Sequence, residues 1–287
     1  MSENTSKEIR STLTPEGFIE LAIATTKKPV PLEHEVLVKV EASPINPSDL
    51  GLLISFAADL DSLNTRGSGD NTLTSMRVHP ALMGTMKSRL NQAMPVGNEG
   101  AGVIEASGSN STTLIGKLVG VAGGAMYSQF RCVPAHNCLI MNDDTLATEA
   151  ASSFVNPLTV LAFVETMRME NHHALLNTAA ASNLGKMLIK VCMDDAIPLV
   201  NIVRTDEQVK TLKELGAEYV LNSSDQNFMR NLIEALTVTG ATLGFDATGG
   251  GNDGKLAGQI LAAMEVAANK KSKEYSRYGS DTYKQVY

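Results

Sequence analysis

The fold is most clearly indicated by residues His173–Gly216, which read HALLNTAAASNLGKMLIKVCMDDAIPLVNIVRTDEQVKTLKELG. This stretch opens with the apolar run Ala174–Leu176, which predicts a buried strand, and a turn of small residues follows. The second buried strand is predicted over Pro198–Val203, and a second helix runs from an N-cap at Thr205 or Asp206 to Gly216. Between the strands, apolar residues recur at the spacing of a helix packed on a sheet: Leu184, Met187, Leu188, Val191 and Cys192. This order of elements is a βαβα unit.

The turn after the first strand is where such a unit holds a dinucleotide pyrophosphate, on the free N–H groups of a helix N-terminus. The glycine positions of the G-x-G-x-x-G pattern are occupied here by Ala180, Ser182 and Gly185. The third glycine allows helix and strand to approach closely, whereas alanine and serine leave room for a phosphate but adopt positive φ less readily. An α/β turn without a ligand is the alternative. The residues predicted to bind a cofactor at this turn are Ala180, Ser182, Asn183, Leu184 and Gly185.

The alternation of strand and helix continues after Gly216. A fourth strand is predicted over Thr242–Asp246, and it runs into the glycine-rich turn Asp246–Gly251. Ligands of open α/β sheets bind at the carboxyl ends of the strands, where this turn lies. Three of its residues therefore join the predicted cofactor-binding set: Thr248, Gly249 and Gly250.

The end of the second strand indicates which dinucleotide is bound. A fold selective for NAD places Asp or Glu there, whereas this chain has Arg204 followed by Thr205. A guanidinium presents a planar, permanently charged fork to phosphate oxygens, so the pair suits the 2′-phosphate of NADPH. These two residues predict NADPH rather than NADH. The alternative is that Arg204 is an exposed loop charge.

The first half of the chain has the pattern of a β domain. The alternation over Val36–Glu41 is typical of a half-buried strand, and short strands are also predicted over Gly97–Gly108 and Leu118–Ala122. Residues 57–92 are rich in Asp, Asn, Ser, Thr and Gly, which predicts an insertion or a flexible loop.

Composition excludes several classes of function. The chain of 287 residues has a net charge of −7 and a pI near 5.3, which argues against nucleic acid or an anionic membrane as partner. We find no basic leader with an apolar core and no apolar run long enough to cross a bilayer. The three cysteines are too few and too irregularly spaced for a disulfide framework, which predicts a reducing, cytoplasmic location.

Six segments, in this order, resemble a known family. From about Leu32 to Tyr287 the chain is similar to the zinc-free branch of the medium-chain dehydrogenase/reductase superfamily, which contains NADPH:quinone oxidoreductases and 2-enoyl thioester reductases. The segments are EHEVLVKVEASPINPSDL (33–50), PVGNEGAGVIEASG (95–108), GGAMYSQF (123–130), SSFVNPLTVLAFVE (152–165), the βαβα unit and FDATGGG (245–251).

The resemblance implies an α/β protein in which a GroES-like β domain, residues 1–150, precedes a Rossmann-type doubly wound parallel sheet, residues 151–287. It also implies a homodimer. In the family a fifth strand begins where this chain reaches Tyr287, and the later strands have no counterpart. We therefore expect a C-terminally truncated chain with an incomplete sheet; the alternative is that a partner covers the exposed edge.

The resemblance also bears on metal and chemistry. Zinc-dependent relatives carry a Cys and a His where this chain has Asn46 and Asn98, and amides are poor zinc ligands, so no metal is predicted. What remains is hydride transfer from NADPH to a quinone or an activated alkene. The candidate catalytic residues, each of which has a turn or cap as its alternative role, are Asn46, Asp49, Asn98, Asn156 and Thr159. Glu99 is expected to anchor the fold.

Two other functions stay open. The 2-enoyl thioester reductases of the family use a tyrosine proton donor shortly after the N-P-S-D segment, but no tyrosine occurs between Leu50 and Gln92. Tyr127 is the first tyrosine of the chain and stands at a position that is usually structural. A dinucleotide-binding protein with weak or no catalysis is the second alternative, which the substituted turn favours.

Overall fold

The computed structural model describes residues 4–55, 58–249, 254–272 and 276–287. The predicted cofactor residue Gly250 lies outside the described residues. The chain divides into two compact units, Met1–Val155 (unit 1) and Asn156–Tyr287 (unit 2).

Unit 1 is built on two antiparallel five-stranded sheets. The strands are β1 (Thr5–Leu13), β2 (Phe18–Lys27), β3 (Glu35–Ala42), β4 (Ala58–Arg66), β5 (Leu73–Val78), β6 (Ala93–Pro95), β7 (Glu99–Ser107), β8 (Leu118–Ala122), β9 (Phe130–Pro134) and β10 (Cys138–Ile140). The strand orders are β4-β5-β2-β1-β6 in the first sheet and β10-β8-β7-β3-β9 in the second. The α-helices α1 (Pro47–Leu53) and α2 (Ala147–Ala150) accompany the sheets. The core of the second sheet is aliphatic: Val36, Val38, Ile104, Val119, Val121, Met126 and Val133.

Residues 57–92 are predicted to be an insertion or a flexible loop, but the described part of this segment contains two strands, β4 and β5, which a flexible loop would lack. β4 and β5 pair with each other, and β5 pairs with β2, so both strands extend the first sheet. Met76 and Val78 are buried on one face of β5, while Ser75 and Arg77 lie on the other face. The polar composition therefore reflects the solvated face of a two-sided strand, which composition alone does not distinguish from a loop.

Unit 2 is a parallel sheet with helices on both faces. Its strand order is β13-β12-β11-β14-β15, and all of these pairs are parallel. The elements are α3 (Val155–Met169), β11 (Leu175–Asn177), α4 (Asn183–Asp194), β12 (Leu199–Val203), α5 (Asp206–Glu214), β13 (Tyr219–Asn222), α6 (Phe228–Thr239), β14 (Leu243–Phe245), α7 (Lys255–Lys271) and β15 (Gln285–Val286).

The two faces of this sheet have separate cores. Leu175 and Val203 belong to the core that includes Val164, Leu188 and Leu212, on helices α3, α4 and α5. Val200 and Ile202 belong to the core that α6 and α7 cover, with Phe228, Leu232, Leu236, Ile260 and Met264. Alternate residues of one strand thus enter opposite cores, which confirms the predicted doubly wound α/β class.

Within the described part of the chain, no helix combines the length and the apolar character needed to cross a membrane.

The third glycine of the turn, Gly185, lies in the first turn of α4. A Cβ atom at this position would lie 2.2 Å from the carbonyl oxygen of Ala180 and 2.6 Å from its carbonyl carbon. Both are backbone atoms, so neither can move without displacing the turn. This contact confirms that the glycine serves close approach of helix and strand.

We expect Gly185→Ala to lower stability by roughly 1–3 kcal/mol, because the new methyl group overpacks a backbone contact. The midpoint of urea unfolding measures this effect. Gly258→Ala is the matched control, since it also lies in a helix, α7, and no atom lies within 4 Å of its added Cβ. That variant gains about 0.5–1 kcal/mol from lower backbone entropy. Equal effects of both substitutions would contradict the close-contact explanation.

A buried histidine links the beginning of β14 to the beginning of β15. The ring of His172, which is 6% exposed, places Nδ1 2.7 Å from Oγ1 of Thr242 and Nε2 3.3 Å from Nε2 of Gln285. Since an amide nitrogen only donates, Nε2 of the histidine accepts this bond and the ring is neutral. Glu170 accepts from Gln285 and, at 2.5 Å, from the hydroxyl of Tyr287.

Burial lowers the pKa of His172 below its ordinary value of 6.5, and neighbouring His173 acts in the same direction while Glu170 opposes it. The unfolded chain therefore binds this proton more readily than the folded one. The stability from the neutral ring is complete above pH 6.5 and is lost as the pH falls through the folded-state pKa.

We expect urea unfolding midpoints to fall less steeply between about pH 7 and pH 5 in His172→Gln than in the wild type, because the variant lacks the titrating ring. His173→Gln is the control, since His173 is exposed. If this control flattens the profile as much as the first variant does, the effect does not come from the buried ring.

Candidate functional site

A polar cluster forms at the start of α1 in unit 1. Asn46 is the N-cap, Pro47 follows it within the first helical turn, and Asp49 occupies the third helical position. The fully buried carboxylate of Asp49 accepts from the backbone N–H of Asn46 at 2.8 Å and from that of Asn98 at 2.8 Å. The side chain of Asp49 thus accepts hydrogen bonds from two backbone N–H groups, one at the start of the helix and one on a distant loop.

Glu99 joins the same cluster from the start of β7. Its fully buried carboxylate accepts from Nδ2 of Asn46 at 2.8 Å through one oxygen. Through the other it accepts from the backbone N–H groups of Phe154 and Val155, at 2.8 and 3.0 Å. These bonds confirm that Glu99 anchors the fold, because three donors from two separate segments converge on it.

The accessible part of the cluster consists of Asn98 and Ser48. Nδ2 of Asn98 donates to Oγ of Ser48 at 3.0 Å, and the backbone carbonyl of Asn98 accepts from Gly123 and Gly124. Ser48 is exposed and Asn98 is half-buried, whereas Asn46 and Asp49 are buried. The predicted residues Asn46, Asp49 and Asn98 are therefore brought together, but only Asn98 is accessible. Ser48 was missed, although its place between two predicted residues was a usable signal.

Tyr127 has a structural position beside this cluster. Its hydroxyl donates to the carbonyl of Pro44 at 2.8 Å. Burial raises the pKa of Tyr127 well above its ordinary value of 10, and the carboxylates of Asp49 and Glu99 raise it further. The phenol therefore keeps its proton at neutral pH and does not exchange it readily.

The two remaining candidates for catalysis lie in unit 2. Asn156 and Thr159 occupy the beginning of α3, where Asn156 is buried and Thr159 is half-buried.

The turn after β11 presents unpaired backbone donors. Among the described residues, the N–H groups of Asn183 and Leu184 donate to no acceptor, and they lie at the start of the 12-residue helix α4. Ser182 is its N-cap, and its Oγ accepts from the N–H of Gly185 at 3.1 Å. Unpaired N–H groups at a helix N-terminus form a site for an anion.

Two alanines of this turn have distinct structural roles. Ala179 adopts the positive φ of 48° that a glycine would adopt more easily, one residue before the predicted position. Ala180 is fully buried in a core of unit 2, and its N–H donates to the carbonyl of Ile202 at 3.2 Å. Ala180 thus shapes the turn, while its N–H is already committed.

Arg204 and Thr205 follow β12 as predicted. Arg204 is exposed, and no carboxylate in the described chain forms an ion pair with its guanidinium. Its backbone N–H donates to Oε1 of Gln208 at 3.0 Å and its carbonyl accepts from Oγ of Ser224 at 3.0 Å. Oγ1 of Thr205 accepts from the N–H of Gln208 at 3.3 Å and so caps α5. The backbone is held while the arginine side chain stays available.

A third cluster lies at the carboxyl end of β14. Oδ1 of Asp246 accepts from Oγ1 of Thr178 at 2.7 Å, from the N–H of Thr248 at 2.9 Å and from Oγ1 of Thr248 at 2.6 Å. Gly249 follows with a positive φ of 65°. Thr178 and Asp246 were missed as functional candidates, although Asp246 opens the predicted glycine-rich turn, because their contact joins two strands that are distant in the sequence.

Metal-binding residues are not clustered. No group of three or more His, Cys, Asp or Glu side chains in the described chain is arranged to hold an ion. Cys132 and Cys138 are free, and burial raises the pKa of each thiol to about 11. The thiols are therefore protonated at neutral pH and poorly suited to metal binding.

Comparison with curated proteins finds reductases. No family model matches the chain. The mitochondrial enoyl-[acyl-carrier-protein] reductase of Caenorhabditis elegans is 29% identical over 206 residues, which cover 68% of this chain and 51% of that protein. A quinone oxidoreductase of Pseudomonas aeruginosa is 24% identical over 158 residues, which cover 54% of this chain and 49% of that protein. The chain spans about half the length of these relatives.

Solved structures with the same fold include quinone reductases. A Mesorhizobium loti protein assigned as an NADPH:quinone reductase has a TM-score of 0.67 at 25% identity and covers 92% of this chain and 72% of its own. The quinone oxidoreductase of Escherichia coli, solved with NADPH, has a TM-score of 0.60 at 21% identity. The match covers 85% of this chain and 66% of the Escherichia coli chain. Relatives and neighbours are thus quinone oxidoreductases and enoyl reductases of the medium-chain dehydrogenase/reductase superfamily, which confirms the resemblance and the fold class.

We expect Asp49→Asn to destabilise the protein by about 1–3 kcal/mol, because the amide replaces one acceptor oxygen by a donor that faces a buried N–H. The midpoint of urea unfolding measures the change. Ser48→Ala, an exposed neighbour, is the control and is expected to stay within about 0.5 kcal/mol of the wild type. An Asp49→Asn variant as stable as this control would show that the carboxylate does not hold the cluster.

Proposed function

We propose that this chain is an NADPH-dependent oxidoreductase that transfers a hydride to a quinone or an activated alkene without zinc. The proposal assigns substrate binding to a GroES-like domain, residues 1–150, and cofactor binding to residues 151–287. The observation that carries it is the pair of unpaired N–H groups at the start of α4, held by the close contact of Gly185 at the carboxyl end of the central strand. The reductases to which the chain is similar support the same reading.

The residues of unit 2 fit this cofactor. The N–H groups of Asn183 and Leu184 would hold the pyrophosphate, and Arg204 would hold the 2′-phosphate. Asn177, at the end of β11, is fully buried, and its side-chain amide has no hydrogen-bond partner in the described chain. Unmet polar groups are costly, and they mark this edge of the sheet as a place for a polar ligand. Thr248, Gly249 and Gly250 remain proposed contacts.

The residues of unit 1 suit a carbonyl substrate. When bound, NADPH supplies a hydride. The Nδ2 group of Asn98 and the hydroxyl of Ser48 are the accessible donors of the polar cluster, and they would hydrogen-bond the substrate oxygen on which negative charge develops. Asn46 and Asp49 would act by holding these two residues in place, and Asn156 and Thr159 remain proposed contacts. Solvent would supply the proton.

A 2-enoyl thioester reductase is the second candidate. The relative from Caenorhabditis elegans is an enoyl-[acyl-carrier-protein] reductase, and this name favours a thioester substrate. The chain has no tyrosine between Leu50 and Gln92, which favours a quinone or a simple enone. Oxidation of NADPH by a quinone and by a crotonyl thioester, measured side by side, separates the two. Tight NADPH binding without turnover of either would instead favour a dinucleotide-binding protein without catalysis.

Location and assembly are also proposals. A reducing compartment such as the cytoplasm suits three free thiols, two of them partly exposed. A homodimer is proposed from the family resemblance, with no nucleic acid and no membrane as partner.

We expect Arg204→Gln to weaken NADPH binding roughly tenfold, equivalent to about 1.4 kcal/mol, and to leave NADH binding unchanged, because only NADPH carries the 2′-phosphate. Fluorescence titration with both dinucleotides measures this. Arg230→Gln, an exposed arginine on α6, controls for the loss of one positive charge. An equal loss of affinity for NADH in Arg204→Gln would contradict the assignment.

A further inference from the structure

We infer that Asp246 is a positioning residue that holds two turns at the carboxyl edge of the unit 2 sheet in one arrangement, and that dinucleotide binding depends on this arrangement. The inference deepens the proposed function and rests on it, because it concerns the same edge of the sheet. It assigns a role to Asp246 and Thr178, which the predicted site did not include.

The hydrogen bonds converge on a single oxygen atom. Oδ1 of Asp246 accepts from the hydroxyl of Thr178 at 2.7 Å and from both the N–H and the hydroxyl of Thr248, at 2.9 and 2.6 Å. Hydrogen bonds to a carboxylate are about twice as strong as those between neutral groups. Thr178 is 1% exposed, so its bond to the carboxylate is shielded from competing water.

The sheet register explains why these side chains meet. β11 and β14 are parallel neighbours, with Asn177 opposite Phe245, so Thr178 and Asp246 are the next residues on each strand. The N–H of Thr178 also donates to the carbonyl of Phe245 at 3.0 Å. After Thr178 the backbone enters the turn before α4, and after Asp246 it enters the turn at Thr248. The carboxylate therefore joins the two turns where they diverge.

The backbone of Asp246 is fixed from the other side. Its N–H donates to the carbonyl of Tyr287 at 2.8 Å, and the N–H of Tyr287 donates to the carbonyl of Gly244 at 2.9 Å. β15 thus fixes the main chain at this point, so the side chain of Asp246 can hold Thr178 and Thr248 without moving itself.

A positioning role and a purely electrostatic role of Asp246 predict opposite changes in NADPH binding when its charge is removed. A negative charge beside an anion-binding turn repels a pyrophosphate, so its removal alone would strengthen binding. Positioning predicts weaker binding, because turns that are no longer held lose conformational entropy when the ligand orders them. Asp246→Asn separates the two roles, since it removes the charge but keeps one acceptor oxygen.

The test compares Thr178→Val and Asp246→Asn with the wild-type full chain. NADPH affinity is measured by fluorescence titration, and amide hydrogen exchange of Thr248 is measured without ligand. We expect Thr178→Val, which keeps the side-chain shape, to weaken NADPH binding roughly tenfold, the effect of losing one charge-assisted bond. We also expect faster exchange at Thr248, and we expect Asp246→Asn to bind NADPH more weakly than the wild type.

Thr242→Val is the matched control. It is the same substitution at the opposite end of β14, where the hydroxyl meets His172. We expect this variant to lower the thermal unfolding temperature while NADPH affinity and Thr248 exchange stay at wild-type values. A merely structural role of Thr178 would give the same result as this control.

The outcomes separate the inference from the proposed function. If the wild type binds NADPH and Thr178→Val binds it equally well, the inference fails and the function stands. If Asp246→Asn binds NADPH more tightly than the wild type, the carboxylate acts only by its charge and the inference fails. If the wild type does not bind NADPH, the proposed function fails, and with it the claim that binding depends on Asp246. In that case the amide hydrogen exchange of Thr248 still tests whether Asp246 couples the two turns, and an exchange rate in Thr178→Val equal to that of the wild type would overturn this coupling.

Discussion

The close contact between the first turn of α4 and the backbone of Ala180 is the constraint on which the rest of unit 2 depends. Because Gly185 has no side chain, the helix starts directly against the end of the central strand. The helix N-terminus is thereby brought to the carboxyl edge of the sheet, where the N–H groups of Asn183 and Leu184 have no acceptor among the described residues. A larger residue would move the helix, and the donors would move with it.

Carboxylates organise the polar parts of both units by the same physical means, and those of unit 1 are fully buried. Asp49, Glu99 and Asp246 each accept several hydrogen bonds, and each collects donors from segments distant in the chain. A carboxylate is suited to this because it has two oxygens and strengthens each bond by its charge. In unit 1 the result is a rigid support below Asn98 and Ser48, and in unit 2 it is a link between two turns.

The proposed chemistry follows from this division between support and contact. Most of the amide and carboxyl groups predicted to be catalytic in unit 1 are buried and already bonded, so their contribution is to orient the few accessible donors. Under this proposal the site would stabilise charge on a substrate oxygen, and Tyr127, whose raised pKa keeps it a neutral phenol, would not serve as the proton donor. This fits a substrate that solvent can protonate.

Periodicity along the chain, which is local, was enough to predict the architecture of unit 2, the position of its turn and the residues after its second strand. The family resemblance marked Asn46, Asp49 and Asn98, which the fold brings together. The sheet positions of β4 and β5, and the polar clusters that contain Ser48, Thr178 and Asp246, became visible only in the folded molecule. These features depend on which strands become neighbours and on hydrogen bonds between distant segments, and neither leaves a periodic pattern along the chain.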